Sequence, residues 1–166
     1  MQKFFTLWVS LVALIIVGCA PKQYEISKPK LIVLKTPKIK FADTGYIRSS
    51  GENVEAELFT AGVAVEKISI AEKVCVSAGC MSEEAFVRDY LSPDYPKDIL
   101  RRILLGEPIY NGKNTSEQCS GIRTQYIRND KTDIIYRLRP DETYFKDRMN
   151  GLIIKISDLE DNNATQ

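Results

Sequence analysis

The chain has 166 residues and a formal net charge of +1, from 23 Lys and Arg against 22 Asp and Glu. So even a balance provides no positive field to collect phosphates, which argues against nucleic acid as a partner. The chain has no histidine, which excludes His-based triads, His general bases and His metal sites.

Met1 to Gly18 reads as an export signal. Lys3 and the amino terminus make a short positive region, followed by the 14-residue apolar run FFTLWVSLVALIIV. A bilayer-spanning helix needs about 20 apolar residues, so this length suits a cleaved signal better than an anchor helix. The 148 residues that remain carry 22 basic and 22 acidic side chains and fit one domain with a sizeable core. The only tryptophan, Trp8, belongs to the signal.

Ile16-Val17-Gly18-Cys19 resembles the lipobox of bacterial lipoproteins, with Ile16 in place of the commoner Leu. The resemblance implies cleavage before Cys19, with lipid on its thiol and its new amine. Several acyl chains, at about 0.8 kcal/mol per buried CH₂, make a stable anchor. Ala20 follows in place of an aspartate, which implies the periplasmic face of the outer membrane. The alternative is a plain signal peptide, or a short anchor helix, with an incidental cysteine.

Residues 19–38 read as the lipidated cysteine and a basic tether. From Ala20 to Lys40, lysines 22, 28, 30, 35, 38 and 40 face a single acid, Glu25, and Pro21, Pro29 and Pro37 discourage helix. The lysines serve either solubility or attraction to anionic head groups. Leu31-Ile32-Val33-Leu34 interrupts the stalk as a possible strand.

A single α+β domain is expected over residues 39–160, with a polar tail at 161–166. Ile39 to Ile47 reads as a strand broken near Asp43-Thr44-Gly45, and Val54 to Thr60 and Val63 to Ile70 as two more. Ala61-Gly62 is a tight turn or a bulge, because Val65 and Ile68 are out of phase. Ser82 is an N-cap candidate for a helix running to Leu91, with Glu83 and Glu84 in its first turn. A second helix is expected from Pro96 to Leu105, stopped by Gly106, with Ile99, Leu100, Ile103 and Leu104 buried and Lys97, Arg101 and Arg102 facing solvent. Residues 111–121 read as a polar loop. Strands follow over residues 122–128, 133–139, 143–148 and 152–157, and Asn150-Gly151 is the strongest hairpin signal. Strands, two helices, then strands describe an antiparallel sheet with helices on its apolar face.

The motifs offer little chemistry. Glu83-Glu84 and Asp141-Glu142 read as a helix start and a turn. No nucleophile–base pair stands out by spacing and no phosphate loop is present, so no enzyme activity, cofactor or metal site is expected. Cys75, Cys80 and Cys119 allow at most one internal disulfide. Cys75 and Cys80 are close enough in sequence to bridge a small loop, while Cys119 competes for either.

Pro96, Leu100, Ile103-Leu104, Gly106 and Pro108 form a helix and Gly-x-Pro turn that resembles a segment of the outer-membrane lipoprotein receptor LolB. Strands around Tyr126 and Ile135-Tyr136, and a closing strand with Ile154-Lys155-Ile156, resemble that family's later strands. Ile103 stands where the family usually has Trp. The resemblance implies a non-catalytic receptor: a half-barrel of curved antiparallel sheet with two helices on its concave face. Acyl chains of another lipoprotein, brought by the carrier LolA, would be held in the hollow and released into the outer membrane. The hollow would be lined by Phe59, Val63, Val65, Ile68, Leu100, Ile103, Leu104 and Phe145, although taken singly each reads first as ordinary core. The family also has a protruding apolar loop, for which Val76 and Met81 are the local candidates. The competing expectation is a structural or accessory lipoprotein of an envelope-spanning assembly, acting by protein contacts.

Overall fold

The computed structural model describes residues 27–159. The signal peptide, Cys19, the first part of the tether and the polar tail lie outside the described residues. The order is β1 (Pro29–Lys35), β2 (Lys40–Ser50), β3 (Asn53–Thr60), β4 (Val63–Ile70), β5 (Val74–Val76), β6 (Gly79–Met81), α1 (Glu83–Phe86), α2 (Ile99–Leu105), β7 (Thr115–Glu117), β8 (Arg123–Arg128), β9 (Asp133–Leu138), β10 (Glu142–Asp147) and β11 (Leu152–Asp158). All eleven strands form one open, curved, antiparallel sheet in the order β6-β5-β4-β3-β2-β1-β11-β10-β9-β8-β7. The α+β class is as expected.

The boundary between tether and domain needs correction. Residues 29–35 are a strand at the centre of the sheet, paired with β2 on one side and β11 on the other. The domain therefore starts at Pro29 or before, and the tether ends earlier than residue 38. The Leu31–Leu34 run, read as a strand interrupting the stalk, is the middle of β1, with Ile32 and Leu34 both buried.

Register carries the apolar face across the sheet. Ile32 pairs with Ile156, Phe145 with Ile154 and with Tyr136, and Ala56 with Ile68. These side chains join Ile99, Ile103 and Ile109 in one core. At about 25 cal/mol per Å² of apolar surface, this burial is the main stabilising term.

β2 runs unbroken through Asp43-Thr44-Gly45. Gly45 marks a close approach: a Cβ there would stand 2.6 Å from Ile32 Cδ1 and 2.7 Å from the Glu57 carbonyl oxygen. Of the two options for Ala61-Gly62, the turn and a bulge both occur. Ala61 and Gly62 have φ of 51° and 80°, a two-residue hairpin turn. The register then slips between Leu58 and Phe59, which inserts Val65 as an extra residue on β4.

The segment between the two runs of strands covers the buried face. The Ser82 hydroxyl accepts from the Ala85 amide at 3.2 Å and caps α1. After Phe86 the helix widens into a π-turn over Val87–Leu91, with Phe86 and Tyr90 stacked at 4.6 Å. α2 begins at Ile99, three residues later than expected, because residues 96–98 form a turn in which the Ile99 amide donates to the Pro96 carbonyl at 3.1 Å. Gly106 closes α2 in the left-handed conformation, with the Glu107 amide donating to the Arg102 carbonyl at 2.8 Å. α2 contacts both β3 and β10.

Candidate functional site

Five of the eight residues expected to line a hollow come together. Ile68, Leu100, Ile103, Leu104 and Phe145 belong to the one core between sheet and helices. The other three do not join them. Phe59 is half-buried, edge-on to Tyr46 at 5.7 Å, on the face opposite Leu58. Val63 and Val65 are 66% and 50% exposed at the β3–β4 hairpin. Phe59 follows the ordinary alternation of β3, one residue on from the inward Leu58, while Val65 is the unpaired bulge residue and Val63 stands beside the turn at the exposed end of the hairpin.

Where α2 ends, a groove of about 310 Å³ opens between helix and sheet. Its walls are Ile47, Leu104, Leu105 and Ile156; its lip carries Arg139, Asp141, Glu142 and the ion pair of Lys30 with Asp158. Arg139 pairs with Asp141 at 3.3 Å, and Lys155 with Glu142 at 3.0 Å. The groove is lined by apolar and polar groups in about equal measure, a mixture that can meet both parts of an amphiphile. Its volume is at the lower end of the usual range of about 300–1,000 Å³. Leu104 alone among the eight residues lines it.

Polar contacts fasten the helical cover to the sheet. Arg101, expected to face solvent, is largely buried instead. It donates to the Glu52 carbonyl, to the Ala71 carbonyl at 2.8 Å and to the Glu83 carboxylate. One guanidinium thus ties α2 to the β2–β3 turn, the β4–β5 turn and the start of α1. At the other end of the sheet, the Tyr95 hydroxyl donates to Asp147 at 2.6 Å. Asp147, fully buried on β10, also accepts from the amides of Asp133, Met149 and Asn150 at 3.1, 2.9 and 3.2 Å. Burial pushes the Asp147 carboxyl up, but hydrogen bonds from Tyr95, Asn150 and the backbone outweigh it and hold its pKa below the ordinary 3.8. Burial likewise raises the Tyr95 hydroxyl, with Asp147 adding to the shift. Gln125 clamps the chain after α2: its side chain accepts from the Ile109 amide and donates to the Ile109 carbonyl, both at 2.9 Å.

None of these three anchors was identified from sequence. Arg101 sits among Lys97 and Arg102 and has no local signal. Asp147 had one: a carboxylate just before Asn150-Gly151 can collect the turn's amides.

Cys75 and Cys80 form a disulfide across the β5–β6 hairpin, and Cys119 is free and exposed. That hairpin is not a protruding apolar loop, because Val76 is buried and Met81 half-buried. The exposed apolar tip is Val63 and Val65 on β3–β4.

Among the described residues no helix is long and apolar enough to cross a membrane. No cluster of three or more Cys, Asp or Glu among them is arranged to hold a metal ion. Searches of protein-family profiles, curated proteins and solved structures found no match to the chain.

Proposed function

We propose that the protein is a lipid-anchored lipoprotein of the bacterial outer membrane that binds acyl chains of other lipoproteins and helps deliver them to that membrane. The observation that carries this reading is the thin cover over a broad apolar sheet face. A seven-residue helix, a four-residue helix and a π-turn pack in one core with inward side chains of β1, β3 to β5 and β8 to β11. We take that face to be concave, with the helices seated in it. Between β3 and β10 lie β2, β1 and β11, so the two strands are about 19 Å apart along the sheet. A helix about 10 Å across touches both only if the sheet bends around it.

On this reading the groove beside Leu104 and Leu105 is the entrance. An acyl chain enters there, its head group meets the charged lip, and the cover moves outward to lengthen the hollow. The exposed Val63 and Val65 tip takes the part of the protruding apolar loop implied by the LolB resemblance. The chemistry needs no titrating side chain, in keeping with a composition without histidine.

The second reading, an accessory lipoprotein acting by protein contacts, has its own support. Ile68, Ile99, Ile103 and Phe145 are at most 2% exposed, so much of the interior is already filled. An environment-sensitive fatty-acid probe separates the two. Saturable uptake that weakens in Leu105→Gln, with unchanged thermal stability, supports the receptor. No uptake by the folded protein supports the accessory role.

A further inference from the structure

We infer that the β1–β2 hairpin is a docking surface for an anionic bilayer. Its turn, residues 36–39, is flanked by Lys35 and Lys40 and contains Lys38, with no acid between residues 35 and 40. All three lysines are exposed. Among the described residues neither the Lys35 nor the Lys40 side chain has a hydrogen bond or ion pair, whereas most basic side chains elsewhere are paired with carboxylates. Lys38 stands 4.7 Å from the centre of the Tyr90 ring, which holds the hairpin against the π-turn after α1.

Beneath the lysines is a shallow hollow of about 440 Å³ lined by Val33, Leu34, Lys35, Lys40, Phe41 and Ala42. Cationic rims around an apolar floor match a phosphate head group above the first carbons of its chains. Lysines near an anionic membrane surface contribute about 1 kcal/mol each. Antiparallel order puts the turns at 36–39 and 61–62 at the same end of the sheet. The Val63 and Val65 tip therefore shares that end with the lysines.

The tether permits this orientation. Pro29 is at the opposite end of β1, about 23 Å away for a seven-residue strand. The ten residues from Cys19 to Lys28 reach up to about 33–36 Å when extended, so the chain can run back along the sheet to a membrane at the hairpin end. The inference rests on the proposed anchor and not on the acyl site.

A reporter tests it. Trp8 is the only tryptophan and leaves with the signal, so Pro37→Trp adds a single probe at the exposed turn of the lipidated protein. The protein is reconstituted in phosphatidylglycerol–phosphatidylethanolamine vesicles and, separately, in phosphatidylcholine vesicles. The expected result is blue-shifted emission, quenched by brominated lipid, on the anionic vesicles only, and loss of that shift when Lys35, Lys38 and Lys40 are all changed to Gln. Hydrogen exchange of the unsubstituted protein repeats the test, with slowed exchange at residues 36–41 expected on the anionic vesicles alone. Water-exposed emission and equal exchange on both vesicles would overturn the inference and leave the hairpin to a protein partner. Fatty-acid probe uptake in the same samples reports separately on the acyl site.

Discussion

Gly45 occupies the one position in β2 where a neighbouring strand leaves no room for a side chain. A methyl group there would meet the Glu57 backbone carbonyl as well as Ile32, and the carbonyl cannot turn aside like the end of a flexible chain. Gly45→Ala is expected to lower stability by about 1–3 kcal/mol, the usual cost of overpacking, and urea unfolding measures it. Asp147 makes a different residue-scale prediction. Its folded pKa is depressed, so its contribution is complete above the unfolded value of about 3.8 and is lost as pH falls through the lower folded value. The midpoint of thermal unfolding should therefore drop below pH 4. Asp147→Asn should be less stable at pH 7 and show a smaller further drop in acid.

At the scale of elements, the cover and the edge hairpin are held by different means. Arg101 bonds two turns and one carboxylate from a single helix position. Arg101→Ala should speed amide exchange in α1 and α2 while leaving β9 to β11 protected, as expected for a local opening. Uniform acceleration would mean that the cover and sheet open together. The Cys75–Cys80 disulfide closes a short loop; chain entropy for a loop of about six residues corresponds to about 2 kcal/mol. Cys75→Ser with Cys80→Ser should lower stability by about that amount or less, with the loss concentrated in β5 and β6 at the sheet edge.

The elements also differ in how readily sequence disclosed them. β3, β4 and β8 to β11 alternate apolar and polar residues, and α2 ends at the Gly106 stop, so physics local to each segment sufficed. β1 was legible as a short strand at Leu31–Leu34, but the lysines and prolines around it placed it in the tether and not in the sheet. β7 was concealed because Thr115, Ser116 and Glu117 are all exposed and define no period. The site was less legible than the fold. Leu100, Ile103 and Leu104 followed from helical spacing, but Val63 and Val65 lie out of phase with the inward Ile68 at the exposed end of a hairpin, Arg101 owes its role to partners distant in sequence, and Asp147 combines the local amides of Met149 and Asn150 with the distant Tyr95.

For the whole molecule, an open sheet of eleven strands and a short helical cover enclose one apolar interior. In the proposed function this interior admits acyl chains beside the C-terminal end of α2. The most direct measurement is labelling of the intact protein with a photoactivatable fatty acid, followed by peptide mapping of the adducts. The account predicts saturable labelling at Ile47, Leu104, Leu105 and Ile156, competed by unlabelled fatty acid. Labelling confined to outward residues such as Tyr126 and Met149, or no competition, would contradict it.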